Sequence, residues 1–96
     1  MIKEIKRTSQ FKKDYKKAIK SGCKEKDFRE VLKYLVAQKP LPEKYRDHLL
    51  SDSKNYKNVR ECHIYPDWLL VYRVYKTELI LELIRTGTHS ELFWKQ

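Results

Sequence analysis

Apolar positions early in the chain recur at helical spacing. Phe11, Tyr15, Ala18 and Ile19 stand at i, i+4, i+7 and i+8, one face of an α-helix, while Lys12, Lys13, Lys16, Lys17 and Lys20 cover the other face. Ser9 is placed to cap this helix and Gly22 to end it. Phe28, Val31, Leu32, Leu35 and Val36 draw a second stripe, with Asp27 as N-cap, Glu30 in capping-box position, and Pro40 and Pro42 as the stop. The short joint between them predicts an antiparallel helix hairpin, and its stripes need a further apolar surface to cover them.

That surface is expected to be a sheet. Residues 2–8 predict a short first strand, and 41–56, with prolines, charges and no sustained period, predict a loop across the surface. From Tyr56 the period shortens to two: Cys62 and Ile64 alternate with Glu61, His63 and Tyr65. Residues 68–75 are apolar at nearly every position, as in a central strand covered on both sides. A third run, 78–86, carries Leu79, Ile80, Leu81, Leu83 and Ile84, and Lys76-Thr77 predicts a tight hairpin before it. Gly87 breaks this strand, and a short helical turn is expected to follow. The order β-α-α-β-β-β predicts an α+β fold, a helix hairpin on one face of a mainly antiparallel sheet with the opposite face partly open. The 96 residues make a single domain, 1–96.

Charge narrows the partners. Twenty-two Lys and Arg against 13 Asp and Glu leave a net +9, a field that attracts nucleic acid or an acidic protein, although a basic surface can also serve solubility alone. No apolar run approaches the roughly 20 residues that span a bilayer, and residues 1–7 lack the apolar core of a signal peptide. No membrane association and a cytoplasmic location are therefore expected. Cys23 and Cys62 form no metal-ligand or disulfide pattern, and Cys62 and His63, adjacent on a strand, point to opposite faces.

The candidate chemistry gathers at residues 60–68, where a strand enters a Pro66-Asp67 turn and returns. His63, Asp67 and Trp68 flank that turn, and His89 follows the Gly87 break at the same edge of the meander. His48, on the loop, can fold onto the same surface. Cleavage of RNA by its own 2′-oxygen needs a base, an acid, and donors for the crowded phosphate. Histidine suits both proton transfers because it titrates near neutral pH. Asp67 could act as base or orient an imidazole, Arg60 and Arg85 could grip the phosphate, and Trp68, Tyr65 and Phe93 could stack on splayed bases. For Trp68, the spacing fits core packing equally well. No metal or cofactor is required, and the histidines lack the close spacing of a zinc set.

The chain resembles the YafQ branch of the RelE/ParE toxin superfamily. The resemblance is carried by Tyr45-Arg46-Asp47-His48-Leu49-Leu50, by Arg60-Glu61-Cys62-His63-Ile64-Tyr65-Pro66-Asp67-Trp68, by Leu70-Val71-Tyr72 and by Arg85-Thr86-Gly87-Thr88-His89-Ser90-Glu91-Leu92-Phe93. Leu49 stands where the family pattern has proline, and Glu61 where aspartate is common. The resemblance implies a RelE-like fold and the toxin of a type II toxin-antitoxin pair, a ribosome-dependent endoribonuclease (mRNA interferase) that inhibits translation. It implies His48, His63, Asp67 and His89 as active-site residues, with Trp68 and Phe93 in support; among them His89 is the expected acid and Asp67 the expected base, with His48 and His63 positioning or stabilising the phosphate. The implied partners are messenger RNA, the ribosome and a cognate acidic antitoxin, with DNA reached only through the antitoxin at the operator. Two rival readings stand beside it: a ParE-like gyrase-directed toxin, and a non-catalytic basic nucleic-acid-binding module.

Overall fold

The computed structural model describes residues 1–50 and 58–93. Five strands form one sheet: β1 (Glu4–Arg7), β2 (His48–Leu49), β3 (Val59–Tyr65), β4 (Trp68–Tyr75) and β5 (Ile80–Gly87). Their order is β1-β5-β4-β3-β2, with β1 parallel to β5 and every other pairing antiparallel. Helices α1 (Ser9–Lys20) and α2 (Glu25–Ala37) are the predicted hairpin, and α3 (His89–Phe93) is the expected final turn.

The helix ends show where local rules yield to distant partners. Thr8, not Ser9, caps α1, because its hydroxyl accepts from the Phe11 amide at 2.9 Å while donating to the Ile84 carbonyl at 2.8 Å. At the other end Gly22, at φ +105°, permits the paired bonds Gly22 N–H to Ile19 and Cys23 N–H to Ala18, both 3.1 Å. The α2 prediction fails at its start. The helix begins at Glu25 after Lys24, so Asp27 lies inside the first turn and not at the cap, and its carboxylate accepts from the Tyr65 hydroxyl.

Two further boundaries differ from the pattern. The 41–56 segment is not all loop: it contains a 3₁₀ turn, Glu43–Tyr45, and the two-residue β2, which pairs with β3 through His48 opposite Glu61 and Leu49 opposite Arg60. Two residues carry no readable period, so only the ladder reveals them. The last strand starts at Ile80, since Leu79 sits at φ +59° and belongs to the turn. The rest of the proposed loop, 51–56, lies outside the described residues.

The core fills the space between the helix hairpin and one sheet face. Phe11, Tyr15 and Phe28 interlock with ring centroids 5.0–6.1 Å apart, over Cys62, Ile64, Trp68, Leu70, Tyr72, Leu81 and Leu83. Both cysteines are free, and burial pushes the Cys62 thiol well above its ordinary pKa. Strand alternation sends the intervening residues of β3, Glu61 and His63 among them, to the opposite face. The helices thus stabilise one side of the sheet and leave the other for chemistry.

Candidate active site

On that second face the three histidines form a row. His63, on β3, is the centre; its ring centroid lies 6.1 Å from His48 and 5.5 Å from His89. The segment read as loop therefore does deliver His48, and β2 is the reason: pairing His48 directly against Glu61 places the ring two residues along β3 from His63. His89 arrives from the opposite side, at the first position of α3.

Each histidine has a distinct set of partners. Nδ1 of His48 donates to the Arg46 carbonyl at 2.9 Å, since a carbonyl can only accept, and Nε2 lies 3.3 Å from Oε1 of Glu61. Glu61, only 5% exposed, stands on β3 two residues before His63. Oδ1 of Asp67 accepts from both the His89 amide (2.9 Å) and its Nδ1 (2.7 Å). These two bonds hold the Asp67 carboxyl below its ordinary pKa. His63 differs from both, because its Nδ1 is buried without a partner among the described residues. Desolvation lowers its pKa, and the neighbouring His89, His48 and Arg46 add to that effect against the opposing pull of Glu61.

The segments that carry these groups are clamped from the core side. Asp47, beside His48, accepts from Nε and Nη2 of Arg60 at 3.1 and 2.9 Å and from the Tyr72 hydroxyl. Asp14 of α1 accepts from Arg85 Nε at 2.8 Å and from the Thr86 amide at 3.2 Å. Burial alone would raise the Asp14 pKa, but the Arg85 and Gln10 side chains and the Thr86 amide outweigh it, and the carboxyl titrates below its ordinary value. Before α3, Thr88 and Glu91 form a reciprocal capping box, with Glu91 also bound to Lys17 of α1 at 2.7 Å. Gly87 is required there: it sits at φ +155°, and a Cβ on it would meet Oε1 of Glu91 at 2.7 Å.

The geometry reassigns several residues that the spacing had offered for substrate contact. Arg60 and Arg85, expected to grip phosphate, are engaged by Asp47 and Asp14 and act as struts. Trp68 is 2% exposed inside the core, so its ring cannot stack on a base. Tyr65 packs its ring edge on Trp68 at 5.2 Å and spends its hydroxyl on Asp27, which ties the Asp67 turn to α2. Phe93 closes α3, and its side chain lies outside the described residues. Asp47, Glu61 and Asp14 do work that no local pattern announced, since each partner comes from a distant element.

Replacing Asp47 with asparagine should therefore cost about 1.5–3 kcal/mol, the usual range for hydrogen bonds to a charged group. Urea unfolding would read the loss, and a midpoint equal to that of the wild type would remove Asp47 from the framework.

Residues 3–94 match the family model for "Bacterial toxin of type II toxin-antitoxin system, YafQ". The chain belongs to this YafQ toxin family. A relative, the mRNA interferase toxin YafQ of Escherichia coli BL21-DE3, is 41% identical over 96 residues, covering 95% of this chain and 96% of its own. YafQ in the E. coli DinJ-YafQ complex shares the fold with a TM-score of 0.84 at 34% identity, over 97% of this chain and 99% of that one. A metal-bound toxin from Helicobacter pylori gives a TM-score of 0.87 at 42% identity, over 97% and 100%. Here, among the described residues, no three His, Cys, Asp or Glu side chains converge as metal ligands. The match also settles the fold class: a YafQ toxin with a helix hairpin on a mainly antiparallel sheet.

Proposed function

We propose that this toxin is an mRNA interferase, an endoribonuclease that cuts messenger RNA on the translating ribosome and so arrests protein synthesis. The observation that carries this reading is the continuous row His48, His63, His89 on the face away from the helix hairpin, with Asp67 bound to its last member. In the reaction the 2′-oxygen attacks the adjacent phosphorus, and the bond from phosphorus to the 5′-oxygen breaks, leaving a cyclic phosphate and a 5′-hydroxyl. His63 takes the 2′ proton. Its lowered pKa keeps it neutral at neutral pH, as a base must be. His89 protonates the departing 5′-oxygen through Nε2, while Asp67 fixes the ring through Nδ1.

Asp67 thereby takes the orienting role of the two open to it. A carboxylate whose charge is already stabilised by two donors is a poor proton acceptor. His48, held between the Arg46 carbonyl and Glu61, presents its ring to the phosphate beside His63. The ribosome contributes by holding the messenger in line for attack, so that a small site suffices and free RNA is cut slowly.

The net charge of +9 favours an acidic antitoxin as the bound partner, acting in the cytoplasm beside the ribosome. Operator DNA would then be reached only through that antitoxin. A neighbouring open reading frame for a small acidic protein would support the pairing.

Mapping messenger 5′ ends after brief induction tests the reading. Discrete cuts in frame with codons are expected. DNA damage signalling without cuts would instead favour a gyrase-directed toxin. A non-catalytic basic module would give neither, and would respond to loss of the α1 lysines rather than of the histidines.

A further inference from the structure

Cleavage as proposed above requires a cation at the phosphate, and the two arginines expected there are bound to Asp47 and Asp14. Among the described residues, Lys17 is likewise bound, to Glu91 at 2.7 Å, and Lys44 lies over the Tyr45 ring at 5.1 Å. Arg46 is placed differently. It ends the 3₁₀ turn in the left-handed region at φ +48°, its amide bonds to the Glu43 carbonyl at 2.9 Å, and its own carbonyl takes the His48 Nδ1 proton. The next residue is Asp47, locked by Arg60 and Tyr72. The backbone of Arg46 is thus fixed on both sides next to the histidine row, while its side chain is exposed.

We infer that Arg46 is the phosphate-binding cation of this site, its guanidinium forking onto the non-bridging oxygens of the scissile phosphate alongside His48 and His63. A guanidinium matches that geometry with two parallel donors, and on a phosphate that gains charge in the transition state it acts on the rate more than on ground-state binding. The positive field of Arg46 already reaches His63, where it helps keep the imidazole unprotonated. One residue then serves both needs, anchoring the phosphate and preserving the base. This inference rests on the cleavage reading above.

The test is cleavage of a ribosome-bound messenger by the purified toxin carrying Arg46→Met, which retains an unbranched stem and removes the charge. The catalytic constant should fall about 10²- to 10³-fold, the cost of deleting one transition-state donor, with a smaller change in KM. Arg46→Lys should recover part of the rate. The acid limb of the pH profile should move to higher pH in Arg46→Met, because His63, facing Glu61 on its own strand, His48 from β2 and His89 from α3, loses one of the positive charges that oppose its protonation. Urea midpoints report whether the variants remain folded. If Arg46→Met unfolds, Arg46→Asn, whose side chain suits the left-handed backbone, reads the same loss of charge.

Wild-type rates in the neutral variants, with His89→Ala inactive, would overturn the inference and leave the cleavage reading standing. A lost rate that Arg46→Lys does not recover, with an unmoved acid limb, would also overturn it, as the mark of a merely structural role. Wild-type rates in His89→Ala as well would sink the cleavage reading itself.

Discussion

Replacing His89 with alanine is expected to lower the rate of messenger cleavage on translating ribosomes by about 10²- to 10⁴-fold, the range spanned by a single positioned acid or base. Three features of its setting support so large an effect. The residue opens α3, so its backbone is set by the Thr88-Glu91 capping box rather than by a free loop. Its amide and its Nδ1 both bond to Asp67, which defines the tautomer and leaves Nε2 for the substrate. Its ring stands 5.5 Å from that of His63, within reach of a phosphate shared by the two.

Stability should hardly change in this variant, because the His89 side chain is more than half exposed and its contact with Asp67 is solvated. A large loss of cleavage at an unchanged urea midpoint is thus the signature sought. Undiminished cleavage would remove His89 from the chemistry. The Asp67 partner should persist at neutral pH: a carboxyl held below its ordinary pKa keeps its charge above that value and loses the pairing only as pH falls through the lowered one.

The largest effect on folding is expected from Trp68→Ala, at about 3–5 kcal/mol. Natural domains of this kind hold only about 5–15 kcal/mol in total, so this one change could consume much of the reserve. Trp68 begins β4 opposite Tyr65, is 2% exposed, and packs with Ile64, Leu70 and the aromatic residues of the helix hairpin in one cluster. The surrounding sheet cannot collapse into the space a removed indole would leave. Trp68→Phe should cost less, since it keeps most of the ring volume. Chemical denaturation would measure both. If Trp68→Ala retained wild-type stability but lost affinity for RNA, the indole would have to contact substrate and the core assignment would fail.

Periodicity made most of the architecture legible. The stripes of Phe11 to Ile19 and Phe28 to Val36 could satisfy only helices, and the alternation of Cys62 and Ile64 with Glu61 and His63 dictated a strand with two unlike faces. The Gly22 stop, the β3-β4 hairpin around Pro66-Asp67 and the turn after Gly87 were equally local, since each depends on the backbone freedom of one or two residues. Those same elements place His63, Asp67 and His89 at one end of the meander.

Other features exist only through partners far away along the chain. Strand β2 is two residues long, and the ladder to Glu61 and Arg60 alone makes His48 part of the row. Whether Arg60 and Arg85 faced substrate depended on Asp47 and Asp14. An arginine that is free to bind phosphate and one locked to a carboxylate look alike in sequence, because the choice between them is a long-range competition among hydrogen-bond partners. The sequence by itself determined the helix hairpin, the three-strand meander and which face of β3 bears an imidazole. The tertiary structure decided which charged groups were consumed in holding that face together and left Arg46 exposed beside the row, because only folding brings the competing carboxylates within reach.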